Sequence, residues 1–322
     1  MIGEVNKGFG YKSIGKIKDK RVQWLIENIL CKGVLAFITG QAKAGKTTIA
    51  IELALSLTTG KPFLGEYKTK KSKVLYFALE DHQGELKAKV KHMLKGKGFP
   101  KNFYMSNAVA INLATNMDKI RDDIEKSKAD VVIFDTFSRS HENDENSSSD
   151  MAPILNKIRE EIRNKNITIL IVHHTGHKVE KPNYHGNWLR GSSAFNGEWE
   201  NLLCIKQEPN GVVKMKVFHR YRPGFDCSYT RIQSEELDMV SDSYPITELR
   251  YIDENAEETA MNEEIVLKAL MECPKSGNEL TTYLKKSKVS RTKIDIALKR
   301  LDSKSRIFKA GKGKNTRWHA KL

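Results

Sequence analysis

Along the first two-thirds of the chain, apolar residues come as short continuous runs separated by segments of helical period. The runs Val34-Leu35-Ala36-Phe37-Ile38, Val74–Ala78, Val131–Phe134 and Ile167–Val172 are rich in Val, Ile, Leu and Phe. Short stretches with apolar residues at successive positions predict strands buried on both faces. Between them, Gln83–Leu94, Met117–Lys126 and Met151–Arg163 return apolar residues every three or four positions, and Thr48–Leu55 also reads as a helix. Strands alternating with helices predict an α/β core, a mostly parallel sheet with helices on both faces. From Trp199 to Ile232 the rhythm shortens around Pro209-Asn210-Gly211 and Pro223-Gly224, which predicts antiparallel hairpins at the sheet edge.

The pattern also divides the chain. Residues 1–33 read as a lead-in with one amphipathic piece, Val22–Ile26, and residues 34–233 as the α/β domain. An acidic, irregular segment over 234–260 (Glu235, Glu236, Asp238, Asp242, Asp253, Glu254, Glu257, Glu258) reads as a linker to a small domain over 261–322. In that domain Ile265, Val266, Ala269 and Leu270 form one face of a helix over Asn262–Met271. Ser276-Gly277-Asn278-Glu279 is a capping box for a second helix. Ser290 caps a third, Arg291–Ser303, whose inward stripe is Ile294, Ala297, Leu298 and Leu301. The stripe leaves Arg291, Thr292, Lys293, Lys299 and Arg300 pointing outward. Ile307–Lys309 and Arg317–His319 then pair around Gly311–Asn315, with Lys312 and Lys314 at the tip and Arg317 beside it. This arrangement resembles a winged helix-turn-helix domain, which implies a recognition helix in the major groove of duplex DNA.

Charge sharpens the picture. The 322 residues carry a formal +15, and from Lys275 onward fifteen Lys and Arg stand against Glu279, Asp295 and Asp302, a net +12. A block this compact predicts a polyanion surface. A merely solvated tail would show the charge without the capped helices and the Gly-Lys hairpin. The length suits one large α/β domain plus a smaller one. No apolar stretch approaches a membrane span and no signal-type apolar region opens the chain. Cys31, Cys204, Cys227 and Cys273 lie far apart with no metal-type or disulfide-type spacing. These features predict a cytoplasmic protein.

The chemistry centres on Gly40, Gln41, Ala42, Lys43, Ala44, Gly45, Lys46 and Thr47, which read G-x-x-x-x-G-K-T, followed by Thr48. Small residues let backbone N–H groups turn toward phosphate oxygens, Lys46 reaches the β- and γ-phosphates, and Thr47 offers a hydroxyl to Mg²⁺. A buried strand before the motif and a helix after it supply the required context, so the motif predicts an ATP or GTP site. Asp135 leaves the end of the strand that starts at Val131, where a carboxylate can hold Mg²⁺. Glu80 and Asp81 leave the strand Val74–Ala78 in the same way. Glu80 is placed to polarise an attacking water, with Asp81 in support or capping the next helix. His173 and His174 end the strand Ile167–Val172, where a polar side chain can touch the γ-phosphate. A metal site using them with His177 and His185 lacks a carboxylate or cysteine at ligand spacing.

These motifs fall in one order. The phosphate loop, Ala78-Leu79-Glu80-Asp81, Asp135-Thr136-Phe137-Ser138-Arg139 with Asp144-Glu145-Asn146, Val172–Gly176, and Arg190–Ala194 follow one another. The set resembles the RecA-like P-loop ATPases typified by RepA-type hexameric replicative helicases, over roughly residues 20–232. The resemblance implies a homo-oligomeric ring, a hexamer favoured, that hydrolyses ATP with Mg²⁺ between subunits while translocating on single-stranded DNA. It makes Glu80 the catalytic glutamate, Asp135 the Walker B aspartate and His174 the phosphate sensor. Arg220 and Arg222 fall where related helicases carry the cations donated to a neighbouring subunit, with Arg190 as the alternative. The polar segment from Gly176 to Arg190, with Lys178 and Lys181, resembles a channel loop gripping single-stranded DNA, and Tyr184 or Trp188 could stack on bases. The length of the chain leads us to expect priming from a separate partner and not from an appended primase or polymerase, and to expect no long N-terminal collar domain of the DnaB type. Two other readings stay open: an ATP-switched DNA-binding initiator or regulator without unwinding activity, and a recombinase-like filament ATPase.

Overall fold

The computed structural model describes residues 13–16, 22–108, 110–175, 189, 191, 193–208, 212–233, 247–252, 256–287, 289–311 and 316–321. It divides into two compact units, Met1–Ile252 and Asp253–Leu322.

In the first unit, β1 (Trp24–Ile26) and β2 (Leu30–Cys31) form a small antiparallel hairpin. Next come β3 (Leu35–Gly40), α1 (Lys46–Thr59), β4 (Val74–Ala78), α2 (Gln83–Leu94) and β5 (Phe103–Met105). They are followed by α3 (Met117–Ser127), β6 (Val131–Asp135), α4 (Ser148–Lys165) and β7 (Thr168–His174). Four edge-side strands complete the unit: β8 (Asn201–Gln207), β9 (Val212–His219), β10 (Arg222–Gln233) and β11 (Thr247–Ile252). Among the described residues, nine of these strands form one sheet in the order β11-β10-β9-β8-β3-β7-β6-β4-β5. Strands β8, β3, β7, β6, β4 and β5 run parallel. The antiparallel region begins at β9.

Strand alternation builds two apolar layers. Ala36 and Ile38 of β3, Val74 and Tyr76 of β4, Val131 and Ile133 of β6, and Leu170 and Val172 of β7 pack on one face, where Ile49, Ala50, Leu53 and Leu57 of α1 cover them. Leu35, Phe37, Leu75, Phe77, Val132, Phe134, Ile169 and Ile171 pack on the other, under α3 and α4. This parity decides which side chain at each strand end faces α1.

Two features differ from the sequence expectation. The lead-in is part of the core: Leu25, Ile26, Ile29 and Leu30 are buried with α1 and β4. Part of the acidic segment is also a strand, since β11 pairs with β10 from Ser228↔Ile252 to Gln233↔Thr247 and buries Leu249. Among the described residues no helix is long and apolar enough to cross a membrane.

The second unit contains α5 (Ala256–Glu272), α6 (Gly277–Tyr283), α7 (Arg291–Ser303) and an antiparallel pair, β12 (Ile307–Ala310) with β13 (Arg317–Ala320). The Ser276–Glu279 capping box is formed in both directions, and Ser290 caps α7 by accepting from the Lys293 N–H. Val266, Leu270, Leu280, Ile294, Leu298, Leu301 and Ile307 make a separate small core.

Candidate active site

β3 ends at Gly40 and α1 starts at Lys46, so residues 41–45 form a tight loop between a buried strand and a helix N-terminus. Gly45 has φ +90°, a left-handed conformation that favours glycine. Gly40 is needed for a different reason: a Cβ there would stand 2.6 Å from the Ile205 carbonyl oxygen of β8. Lys46 is buried and turns back over the loop, its Nζ donating to the carbonyls of Gly40 (3.2 Å) and Gln41 (2.9 Å). Burial lowers its pKa, while the carboxylates of Glu80 and Asp135 oppose the shift.

Asp135 follows Val131 and Ile133 by parity, which directs it to the α1 face. It is 3% exposed, and burial pushes its carboxyl up to about 6 against the hydrogen bonds of Tyr76 and Thr47. Tyr76 Oη donates to Oδ2 at 2.5 Å, whereas the buried Oδ1 has no hydrogen-bond partner among the described residues. A hydroxyl and a carboxylate meeting at the phosphate loop are the hard oxygen donors that Mg²⁺ takes. The unpartnered Oδ1 fits that ligand.

The turn after β4 is fastened to the end of β6, since the backbone N–H groups of Leu79 and Glu80 donate to the Asp135 carbonyl at 2.7 and 3.3 Å. Glu80 is exposed there, and its charge is felt by both Lys46 and Asp135. Asp81, whose charge is also felt at Asp135, has its own partner. It pairs with Lys89 of α2 at 2.5 Å, and the N-cap of α2 is His82.

Parity also separates the two histidines. His173 is fully buried on the face opposite α1, its ring 5.5 Å from Phe137 and 5.1 Å from Phe195. His174 lies on the α1 face, level with Gly40. The other histidines considered, His177 and His185, lie outside the described residues, as do Lys178, Lys181, Tyr184, Trp188 and Arg190.

Arg220 and Arg222 sit at the other end of the sheet. β8 brings Ile205 level with Gly40 and Asn201 level with Ala36; His219 pairs with Asn201, and Arg222 with His219. Their cationic groups thus lie at the edge remote from their own phosphate loop. Arg220 donates to the Gly197 carbonyl at 2.5 Å and its Cζ lies 5.7 Å from the ring centroid of the exposed Tyr221, while Arg222 lies 5.8 Å from the Trp24 ring.

Two residues escaped the sequence reading. One is Tyr76, the support of Asp135, which reads as one more apolar residue in its run. The other is Arg231, whose guanidinium lies against Gly45. Its signal is the inward series Cys227, Tyr229, Arg231 on β10, an arginine where alternation calls for an apolar residue.

In the second unit, Thr292 and Lys299 of α7 are exposed and Lys293 is half-buried. Of the two arginines expected to point outward, Arg291 is exposed and bonded at the surface, and Arg300 is drawn in. Arg291 bonds Asp295 (3.1 Å) and Asn278 and Thr281 (3.0 Å each), and Arg300 is half-buried against Glu263 of α5 at 2.7 Å. Both are held by a helix neighbour carrying a matching acceptor. Arg317 pairs with Glu279 at 2.7 Å, and Lys312 and Lys314 lie outside the described residues.

Residues 14–180 match the AAA domain family. No curated protein matches the chain. Among solved structures, the chain is similar to the ATPase domain of the protein named G40P, at 14% identity over 62% of this chain and 82% of that one, with a TM-score of 0.51. It is also similar to a DnaB-like replicative helicase described with its interactions with primase, at 14% identity, 62% and 57% coverage and a TM-score of 0.48. The matched region spans little more than half of that helicase chain.

Proposed function

The chain belongs to the AAA domain family and has a RecA-like P-loop ATPase fold, and we propose that it is an ATP-hydrolysing DNA helicase or translocase of replicative type. One observation carries the reading: Lys46, Thr47, Glu80, Asp135 and His174 meet at the C-terminal edges of four adjacent parallel strands, β3, β7, β6 and β4. In open α/β sheets that edge is where ligands bind.

The residues divide the work by chemistry. Loop amides and the Lys46 ammonium hold the triphosphate, with Thr48 behind them on α1. Thr47 and Asp135 hold Mg²⁺, which supplies positive charge against the phosphate oxygens. Glu80, on the exposed turn beside Asp135, accepts a proton from the water whose oxygen bonds to the γ-phosphorus as the bond to the bridging oxygen breaks. His174 reports the γ-phosphate.

Arg220 and Arg222 are remote from their own loop, so a role in hydrolysis requires the loop of a second copy. A ring, a hexamer favoured, provides that, and a cation supplied in trans can be worth on the order of 10³–10⁵ in rate. Lys178 and Lys181 grip single-stranded DNA in the channel. The second unit acts as a winged helix on duplex through Arg291, Thr292, Lys293, Lys299, Lys312, Lys314 and Arg317, with Arg300 held against Glu263 of α5.

The test is steady-state ATP hydrolysis without DNA, with single-stranded DNA and with duplex. Stimulation by single strands is expected. Stimulation by duplex alone, or by neither, would favour the initiator reading.

A further inference from the structure

The phosphate loop has a cationic neighbour that the reaction described above does not use. Arg231 lies near the end of β10. Pairing runs Thr230↔Val212 and Gln207↔Val213, which brings this end of β10 to the same sheet edge as Gly40. Alternation sets Arg231 on the face of Cys227 and Tyr229, and both of those pack in the layer that holds Ala44 and α1. The arginine therefore extends the α1-facing row at the level of the α1 N-terminus. Its guanidinium lies on Gly45: the nearest groups to where a Cβ would stand are Arg231 Nη2 and, at 3.5 Å, Cζ.

The electrostatics of that position are lopsided. The N-terminus of α1 presents its positive dipole end, Lys46 is its first residue, and Lys43 belongs to the loop before it. A guanidinium placed there adds a fourth positive feature, and its Nε is buried with no hydrogen-bond partner among the described residues. A buried donor of a charged group is costly when unmatched, and no carboxylate among the described residues pairs with it. An anion on the loop would answer all of these at once.

We propose that Arg231 is a nucleotide ligand of its own subunit, donating from its guanidinium to the phosphate chain held by residues 40–47. This rests on the phosphate-loop reading and adds to it a cation from the antiparallel part of the sheet. The role is distinct from that of Arg220 and Arg222, which stand at the opposite end of the antiparallel strands. Nucleotide binding would then join the loop between β3 and α1 to the β10 edge, two elements far apart in the chain.

The test is a fluorescence titration of the full chain with N-methylanthraniloyl-ATP and N-methylanthraniloyl-ADP. It compares the natural protein with Arg231→Ala, Arg231→Lys and Lys46→Ala, alongside thermal melting without nucleotide. Arg231→Ala should weaken both nucleotides by roughly 10- to 100-fold, the scale of a lost charge-assisted hydrogen bond. Arg231→Lys should recover most of that loss, and melting without nucleotide should not fall in Arg231→Ala. Unchanged affinity in Arg231→Ala, beside a natural protein that binds and a Lys46→Ala variant that does not, would overturn the role of Arg231 alone. Weakened binding with a lowered melting temperature and no recovery by lysine would overturn it too, because the residue would then only shape the loop. Failure of the natural protein to bind either nucleotide would overturn the phosphate-loop reading itself.

Discussion

Replacing Asp135 by asparagine should stabilise the nucleotide-free protein at neutral pH while removing its response to Mg-ATP. In the folded chain, burial raises the Asp135 carboxyl from its ordinary 3.8 to about 6. Between those values the folded state holds a proton that the unfolded state has released. Stability therefore falls as pH rises through this window, and above about 6 the full cost of the buried charge is present. A shift of this size corresponds to about 3 kcal/mol at pH 7.5. Asparagine is nearly the same size and its amide oxygen can still accept from Tyr76 Oη, so about 3 kcal/mol is a ceiling on the gain. For a unit of roughly 250 residues that is a rise of up to ~6–12 °C in melting temperature. The assay is differential scanning fluorimetry of both proteins from pH 7.5 to pH 5, with and without Mg-ATP. The variant should melt higher at pH 7.5, the difference should shrink as pH falls through 6, and Mg-ATP should raise the melting temperature of the natural protein only. A variant that melts lower at pH 7.5, or a gap that does not change with pH, would refute the argument that Asp135 is a costly charge kept for a ligand.

Other variants separate the remaining roles. Glu80→Gln should keep ATP affinity and cut turnover by about 10²–10⁴-fold in a phosphate-release assay, and normal turnover would remove Glu80 from the chemistry. Lys46→Ala and Arg222→Ala should each lack activity alone. Mixed one to one, they should recover hydrolysis at roughly a quarter of interfaces if the arginine serves a neighbouring subunit head to tail, and no recovery would place Arg222 outside the site. Deleting residues 253–322 should leave basal hydrolysis intact and weaken duplex binding. If the second unit makes about five phosphate contacts, the plot of log K against log salt should lose roughly 4–5 units of slope.

Much of the first unit was legible because buried parallel strands leave apolar runs that no loop carries. Val74–Ala78 and Gln83–Leu94 have the bounds that periodicity predicts. What was not legible depends on partners distant in the chain. β11 reads as acidic and irregular because, among its described side chains, Leu249 alone is fully buried, and its place comes from pairing with β10. Leu25 and Leu30 stand in an apolar patch too short to mark an element by periodicity, and the layer over α1 accounts for their burial. In the site, the motif marks Lys46 and Thr47, while Tyr76 and Arg231 carry no motif and gain meaning from the strands beside them. Arg300 shows the reverse error, since a helical wheel calls it outward and Glu263 of α5 draws it in.

The central claim is that hydrolysis at this site drives movement along DNA. Its most direct test is ATP-dependent displacement of a fluorescent strand from a forked duplex by the full chain, with Glu80→Gln as control. The account predicts displacement that requires Mg-ATP and is lost in the control. Hydrolysis stimulated by DNA with no strand displaced and no movement on single strands would contradict it.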